Sequence, residues 1–489
     1  MNADFQTLST APIAAPLFTQ RVAASEGLPE RFRRSLIRLV WVVYFLLLFE
    51  GVLRKWIFPH WGRPLFFIRE PFVLLIYALV LSKGARLRSV FLEVGCLFGM
   101  VGLVLIIAQR TWAKADDVLP AVLQANGWRS YFFYLPLAFI IGRYLNLREL
   151  KAILDRTVYI SVAMAGLAVI QFTSPALSPI NAGNGDSPEE LYRNQGLPGG
   201  FVRPFGTFTS SIGMSTFTVS VIAIAISLWL EPRRPDSIRS LPLLVSAIAG
   251  PLACLSISGS RGALISAGVV FALAIAGLFF TPGVTGLKAV ALIGALIFLG
   301  AVAAPLLLPQ ATQAFTQRWQ DAGEGEQRLY GSGGVFGRAI YDLFSFRLLI
   351  PDTPPQGFGL GSAGNAAWNL GTRTEVIVFT SAEQIGAAET DWGRNVLELG
   401  PVLGVIFILF RIALTLWLGI RALVATLRSG HPLPWLLFTF VGIIMFNGQI
   451  TANGTMNAYG WLFTGFCLAA TNSVMPAPRM VGRRAIRNG

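Results

Sequence analysis

Long apolar runs, separated by short polar segments, recur along the whole chain. Residues 36–49 (LIRLVWVVYFLLLF) and 263–280 (ALISAGVVFALAIAGLFF) are two of them, and they approach or reach the length with which an α-helix crosses the apolar core of a bilayer. The pattern therefore predicts an all-α, polytopic membrane protein with about twelve transmembrane helices. The predicted helices cover residues 36–58, 65–82, 89–109, 128–146, 150–172, 207–230, 241–257, 262–281, 287–308, 396–418, 433–450 and 455–474.

The composition agrees with this prediction. The 489 residues are 54% hydrophobic and 13% charged, whereas soluble domains carry about 25% charged residues. This excludes a soluble enzyme that carries a single membrane tail. Cys96, Cys254 and Cys467 all fall in apolar runs, so we expect no disulfide framework and no thiol chemistry. The sequence contains no CxxC, HExxH or DxD motif, and we therefore expect neither a metal site nor another cofactor.

The charge distribution predicts the orientation of the chain. There are 39 Lys and Arg residues against 25 Asp and Glu residues, a net charge of +14. In a membrane protein such an excess reflects basic cytoplasmic loops, so we expect no nucleic-acid partner. With about twelve transmembrane helices every basic cluster falls on one side, which we assign to the cytoplasm together with both termini. The clusters are Arg31, Arg33 and Arg34; Lys83, Arg86 and Arg88; Arg143, Arg148 and Lys151; Arg233, Arg234 and Arg239; Arg421 and Arg428; and Arg479, Arg483, Arg484 and Arg487.

This orientation divides the chain into five parts. The first residues lack the pattern of a cleaved signal sequence and are predicted to form a cytoplasmic tail. Between the ninth and tenth predicted helices lies a large, Gly-rich outer (periplasmic) loop, and loops of that length are usually functional. We therefore expect chemistry or recognition at the outer face. The parts are residues 1–35 (N-terminal tail), 36–308 (helices one to nine, with an outer loop at 173–206), 309–395 (large loop), 396–475 (last three helices) and 476–489 (basic cytoplasmic tail).

Two arginines lie on the predicted outer side of the membrane, where the charge distribution leads us to expect few basic residues. Arg203 precedes the sixth predicted helix and Arg261 precedes the eighth, so both are expected at the outer end of the membrane. Each could extend to the interface and stabilise the end of its helix. Alternatively they form an anion site, because guanidinium stays charged and binds phosphate oxygens in pairs. The small residues Ser258 and Ser260 beside Arg261 would let a large head group approach the backbone.

The large loop contains the Gly-rich segment GFGLGSAG at residues 357–364, with Gly359 and Gly361 at its centre. It matches GxGxxG formally, but a nucleotide site needs a preceding strand and a following helix. PDTPPQ precedes it on the outer side. We expect instead a flexible turn that opens the loop toward a ligand.

The segment that leads into the tenth predicted helix is rich in charge. Glu389, Asp391, Arg394 and Glu398 follow one another at helical spacings, so Glu389/Arg394 and Arg394/Glu398 could pair on a solvated helix start. The alternative is that a carboxylate, Glu389, faces the arginines and accepts a proton from a sugar hydroxyl.

Charged residues also occur at the ends of the first two predicted helices. Glu50 lies near Arg54 and Lys55, and Arg69 adjoins Glu70. Opposite charges at membrane depth tend to pair with one another, and we expect structural pairing in both groups.

The order of these motifs resembles the O-antigen polymerase/ligase family, bacterial polytopic enzymes that assemble surface polysaccharide on an undecaprenyl lipid. The motifs that carry the resemblance span about residues 200–404, and the predicted number of helices extends it over nearly the whole chain. It is carried by Arg203-Pro-Phe-Gly-Thr-Phe, by Ser258-Gly-Ser-Arg-Gly-Ala, by Gly357, Gly359 and Gly361, and by Glu389 eleven residues before Gly400 in Glu398-Leu-Gly400, followed by Gly404.

The resemblance implies a GT-C-like glycosyltransferase architecture in the bacterial inner (cytoplasmic) membrane. The implied substrate is an undecaprenyl-diphosphate-linked oligosaccharide, and the implied reaction is metal-independent, inverting transfer of the growing glycan to the hydroxyl of another repeat unit. A flippase and a chain-length regulator are the pathway partners that it implies, with membrane lipid around the protein. The implied catalytic residues are Glu389, as base, and Arg261.

Further residues are expected to bind the substrate. Arg203 and Arg261 would stabilise the leaving diphosphate, while Arg394 would act as a second phosphate clamp or hold Glu389. Trp392 and the Gly-rich segment would seat the sugar ring. The full set of expected substrate-binding residues is Arg203, Arg261, Arg394, Ser258, Ser260, Gly359, Gly361 and Trp392.

Other functions remain open from sequence. Family members that ligate finished polysaccharide carry a His-Asn or similar pair where this chain has Glu389-Thr390, which favours a polymerase over a ligase. A transporter or flippase for anionic lipids would use the same arginines as a gate, but it would be expected to show repeated halves and polar sites at mid-membrane. A sensor or assembly scaffold would not need Arg261 beside small residues.

Overall fold

The computed structural model describes residues 29–85, 87–112, 119–182, 196–231, 240–281, 286–330, 334–364 and 381–475. Apart from one isolated β-bridge between Gly196 and Val202, the regular structure of these residues is helical. The α-helices are α1 (Glu30–Val52), α2 (Gly62–Leu65), α3 (Glu70–Ser82), α4 (Val90–Trp112), α5 (Ala121–Trp128), α6 (Leu135–Tyr144), α7 (Leu147–Thr173), α8 (Ser211–Leu230), α9 (Leu241–Ile257), α10 (Arg261–Leu278), α11 (Gly286–Leu307), α12 (Pro309–Tyr330), α13 (Gly334–Phe344), α14 (Ala382–Glu389), α15 (Asp391–Leu399), α16 (Pro401–Ser429), α17 (Leu433–Asn447) and α18 (Gly454–Val474).

Seven helices in the described part of the chain are long and apolar enough to cross a membrane. They are α1 with the π-helical turn that follows it, α4, α7, α8, α10, α11 and α16. Three shorter apolar helices, α3, α9 and α17, accompany them. The protein is therefore a helical, multi-pass membrane protein, as the apolar pattern predicted.

Two predicted transmembrane helices are interrupted. The one at 65–82 becomes regular only at Glu70, after a turn through residues 66–69. The one at 128–146 is divided into α5, a π-helical turn at Arg129–Phe133, and α6. Pro136 lies in the first turn of α6, where the missing N–H of proline costs no hydrogen bond. The chain therefore places irregular backbone at one end of the bundle.

Burial separates the helices at the centre from those at the periphery. Nearly every residue of α8 is buried, and α8 contacts α7, α9, α10 and α17. A helix that is apolar all round needs such an enclosed position. By contrast, α4 and α11 expose large apolar side chains, for example Val104 (63%) and Phe298 (71%). These surfaces suit contact with lipid tails.

The large loop is partly helical and continues from α11. Helix α12 begins at Pro309, directly after α11, and its described residues contact α13 and α9. At the far end of the loop, Gly400 separates α15 from α16 with a φ of +86°. A Cβ atom at Gly400 would lie 2.2 Å from the carbonyl oxygen of Pro355. The long apolar helix therefore starts at Pro401 rather than at residue 396, because this close approach breaks the predicted helix.

Candidate functional site

Buried charged side chains gather at one end of the helix bundle, which we call the polar end. Lys55, at the end of α1, donates to the carbonyl oxygen of Phe208 in front of α8 (2.6 Å). Arg69, before α3, donates to the carbonyl oxygen of Gly454 at the start of α18 (3.4 Å). Helix α18 bonds to the turn before α6, and the segment that precedes α18 bonds to α15. The ends of six helices are thus connected in one layer.

Three arginines from distant parts of the chain come together here. Arg203 lies in the segment before α8, Arg261 is the first residue of α10, and Arg318 lies in α12. Burial, together with a smaller contribution from the charge of Arg318, lowers the pKa of Arg203 to about 10. The pKa of Arg318 is lowered by burial and then by the charge of Arg261. We call Arg203, Arg261 and Arg318 the arginine cluster.

The backbone brings Arg203 against the turn before α10. Gly259 in this turn has a φ of +57°, and a Cβ atom there would lie 3.3 Å from Cγ of Arg203 and 3.0 Å from Leu197. The guanidinium carbon of Arg261 lies 5.7 Å from the ring centroid of Trp319, the neighbour of Arg318. The structure thus places the two arginines selected from sequence in one neighbourhood.

Arg318 was not among the residues predicted from the sequence, although a signal was present. Arg318 lies on the side of the membrane where we expected few arginines, and that argument selected Arg203 and Arg261 but was not applied within the large loop. The helix of α12 was also not predicted. Without it, nothing related Arg318 to the start of α10.

Ser258 and Ser260 stabilise the turn that presents Arg261. The Ser260 hydroxyl accepts from the backbone N–H of Ala263 (3.2 Å) and so caps α10. The Ser258 hydroxyl donates to the carbonyl oxygen of Leu255 (2.9 Å) and accepts from the N–H of Ser260 (3.3 Å). These bonds let the two serines position the turn, while their expected contact with a ligand stays a prediction.

Glu389 ends α14 with its side chain exposed. The side-chain amide of Gln449 donates to its backbone carbonyl oxygen (3.3 Å). Among the residues that the structure describes, Glu389 forms no ion pair with Arg394, which corrects the predicted pairing. The reason is that Thr390 is extended (φ −76°, ψ 149°) and caps a new helix, α15. The two residues therefore do not share one helix.

Arg394 is 8% exposed, and its Nε donates to the carbonyl oxygen of Ala388 (3.1 Å). The second predicted partner, Glu398, is also not ion-paired with it within the described structure. Glu398 instead accepts from the N–H of Ala363 (2.9 Å). Nη1 of Arg394 is buried and makes no hydrogen bond to a described residue. Arg394 thus keeps a donor for a ligand but does not hold Glu389.

The Gly-rich segment is docked rather than open. Gly359 and Gly361 are buried, with φ of +101° and +87°. A Cβ atom at Gly361 would lie 2.2 Å from the carbonyl oxygen of Leu123 in α5, and one at Gly359 would lie 2.8 Å from the Gln109 side chain. The glycines are needed for this close packing. This corrects the expectation of a flexible turn that faces a ligand.

Trp392 is 5% exposed and packs between Phe346 and Phe446, with ring centroids 6.2 and 5.4 Å away. Its indole N–H donates to the carbonyl oxygen of Phe446 (2.9 Å). The side chain is used in packing α15 on its neighbours. Because so little of the Trp392 side chain is exposed, the structure does not support the expectation that it seats a sugar ring.

A buried ion pair that the sequence analysis missed connects α15 to α16. Arg411 Nη1 lies 2.5 Å from the carboxylate of Asp391, and both side chains are fully buried. Asp391 also accepts from the N–H and hydroxyl of Thr451 (3.1 and 2.7 Å). Arg411 further donates to the carbonyl oxygens of Met445 and Gly448. An arginine within a predicted transmembrane helix was the available signal.

The charged residues at the ends of α1 and α3 form ion pairs, as expected, but some of their partners differ from those predicted. Glu50 pairs with Arg54 and with Arg69, each at 3.0 Å. Glu70 pairs with Arg129, and Tyr134 donates to it at 3.0 Å. The pairing of Glu50 with Arg54 is confirmed. The expected pairing of Lys55 is not found in the described structure, where its ammonium group donates to backbone carbonyl oxygens, and Arg69 and Glu70 pair with residues of other segments rather than with each other.

No group of three or more His, Cys, Asp or Glu side chains in the described ranges is arranged to hold a metal ion. No protein-family model matches this chain, and no curated protein matches it either.

Proposed function

We propose that the protein polymerises undecaprenyl-diphosphate-linked oligosaccharide repeat units at the outer face of a bacterial inner membrane. In this proposal the bundle has twelve transmembrane helices and a GT-C-like architecture, and the polar end faces the periplasm. The observation that supports it most is the arginine cluster. The charge of Arg318 lowers the pKa of Arg203 and the charge of Arg261 lowers that of Arg318, so a bound anion would stabilise the charged forms of Arg203 and Arg318.

The chemistry of the leaving group fits such a cluster. A diphosphate departs with two or more negative charges, so it needs charge stabilisation rather than a proton. Guanidinium groups supply this stabilisation without a metal, and they bind phosphate oxygens in pairs. Arg203 and Arg261 would contact the diphosphate of the donor, with Arg318 as a third contact.

Glu389 is the proposed base. Its carboxylate is exposed at the end of α14 and can accept a proton from an acceptor hydroxyl that is bound in the large loop. The hydroxyl oxygen then attacks the anomeric carbon, and the bond from that carbon to the diphosphate oxygen breaks. One displacement of this kind inverts the anomeric centre.

The test uses purified protein in lipid nanodiscs with a lipid-linked oligosaccharide as the only glycan. The wild type is expected to give long glycan and to release undecaprenyl diphosphate. Arg261→Ala and Glu389→Gln should fold but lose about 10²–10³-fold of the rate. Arg347→Ala, which removes an exposed arginine of the large loop, is the matched control and should retain activity.

Two outcomes would contradict the proposal. Long glycan from Arg261→Ala would remove the arginine cluster from the reaction. Movement of intact lipid-linked oligosaccharide across the bilayer, without release of the carrier, would identify a transporter. Formation of polymer from a single lipid-linked substrate would exclude a ligase that needs a different acceptor.

A further inference from the structure

A second group of buried charges lies at the polar end, apart from the arginine cluster. It consists of Glu50, Arg54, Lys55, Arg69, Glu70 and Arg129, which we call the charged cluster. Each side chain belongs to a residue that is at most 9% exposed. The cluster contains four basic and two acidic residues, a formal charge of +2 among these described residues. Basic residues therefore outnumber acidic ones in it.

Both carboxylates of the charged cluster are already engaged. Glu50 is shared by Arg54 and Arg69, while Glu70 is held by Arg129 and by a tyrosine hydroxyl. In the described structure no carboxylate lies within ion-pairing distance of Lys55. Its ammonium group donates to the carbonyl oxygens of Gly206 and Phe208 (3.3 and 2.6 Å).

Arg69 provides a second, independent observation. The residue is 1% exposed, yet its Nη1 makes no hydrogen bond to any described group. A buried guanidinium donor without an acceptor is costly, as is a buried cation without a counter-charge. One anion would satisfy the donor and compensate the excess charge together.

The surroundings of the cluster suit an anionic group attached to an apolar chain. The guanidinium carbons of Arg54 and Arg129 lie 5.3 and 4.7 Å from the ring centroid of Phe66. The same connecting segment exposes Phe58 (51%) and Trp61 (64%). An amphiphile could therefore place its phosphate at the cations and its hydrocarbon on these rings.

We propose that the charged cluster is a second phosphate-type anion site, which binds the diphosphate of a second lipid-linked chain. The identity of this ligand rests on the proposed function, because joining two lipid-linked chains requires room for two diphosphates. The segment at 203–208 connects the two sites: it carries Arg203 to the arginine cluster, and its carbonyl oxygens contact Lys55. The two proposed sites are thus linked through one segment.

The experiment counts bound undecaprenyl diphosphate by native mass spectrometry on the full chain in nanodiscs of phosphatidylcholine. The wild type should bind two molecules. Lys55→Gln should bind one, with the affinity for the second reduced at least about tenfold, and Arg261→Gln should bind the other one. The double variant should bind none. Lys288→Gln, an exposed lysine at the start of α11, is the matched control and should bind two.

Binding of a single molecule by the wild type, or of two by Lys55→Gln, would overturn the proposal. Thermal unfolding of the empty proteins checks that each variant is folded. If Lys55→Gln does not fold, the number of undecaprenyl diphosphate molecules bound by the wild type and by Arg261→Gln still tests the proposal. The readout needs no catalysis, so two bound molecules without polymer would refute the proposed function and leave this site standing.

Competition distinguishes the sources of the phosphate. Displacement of one molecule by inorganic pyrophosphate, absent in Lys55→Gln, supports a site for the diphosphate itself. Equal displacement by phosphatidylglycerol would assign the site to membrane head groups and overturn its role in binding a second chain.

Discussion

Two regions at the polar end contain arginines in opposite electrostatic settings. Around α15, Arg411 is paired with Asp391, which also accepts from Thr451, and Glu398 accepts from the backbone of the Gly-rich segment. We call Asp391, Glu398, Arg411, Thr451 and Gly361 the clamp region. In the arginine cluster the charge of Arg318 lowers the pKa of Arg203, and the charge of Arg261 lowers that of Arg318. The ion pair of the first region connects helices of the fold, whereas we propose a role in ligand binding for the second.

Breaking the ion pair of the clamp region should give the largest loss of stability. Arg411→Ala leaves Asp391 buried without its counter-charge, and removal of one partner of such a pair costs about 3–5 kcal/mol. We expect Arg411→Ala to unfold at a much lower temperature than the wild type in detergent.

Arg428→Ala, at an exposed position of the same helix, is the control for this change and should leave the unfolding temperature close to that of the wild type. Equal unfolding temperatures for Arg411→Ala and Arg428→Ala would show that the pair does not hold α15 to α16.

The arginine cluster should respond in the opposite way. Arg318→Ala relieves repulsion of Arg203, so the protein should keep or gain stability. It should nevertheless lose about 10²-fold in polymerisation rate, because one contact to the departing diphosphate is lost. Arg318→Lys should recover part of the rate, since it restores the charge but not the paired donors.

The measurement is the rate of carrier release, with thermal unfolding of the same samples. Gln317→Ala, an exposed neighbour in α12, should match the wild type in both. If Arg318→Ala loses enough stability to account for its loss of rate, Arg318 has a structural role. The two regions would then not differ in function.

The substitution Gly361→Ala tests whether the backbone conformation of Gly361 contributes to the stability of the clamp region. Gly361→Ala forces a side chain into a φ of +87° and into contact with a carbonyl oxygen of α5, and backbone strain of this kind costs about 1–3 kcal/mol. Gly364→Ala is matched in size and meets only ordinary contacts at 3.8 Å. We expect a lower unfolding temperature for the first variant alone. Equal effects would show that the Gly-rich segment is not docked.

The local pattern of apolar and charged residues predicted those features that depend on residues near one another in sequence. Apolar runs predicted the helices, and the scarcity of arginines expected on one side selected Arg203 and Arg261. The pairing of Glu389 with Arg394 was wrong because Thr390 ends one helix and caps the next. The docking of Gly361 on α5 depends on a contact between segments far apart in sequence, which spacing does not encode.

Glu398 tests the clamp region through the dependence of its stability on pH. The residue lies in α15, ahead of the apolar helix α16, and burial raises the pKa of its carboxyl from 4.5 to about 7. The native state therefore holds a proton that the unfolded state releases between these values. Stability from this group is fully present below about pH 4.5 and is lost as the pH rises through about 7.

Replacement by Glu398→Gln should remove this pH dependence, because the amide stays neutral. We expect the free energy of unfolding of the wild type to fall by about 1–3 kcal/mol more than that of the variant between pH 5 and pH 8. Glu383→Gln, an exposed carboxyl of α14, should titrate like the wild type. Parallel curves for all three proteins would mean that Glu398 is solvated, and the clamp region would then extend no further than the pair of Asp391 and Arg411.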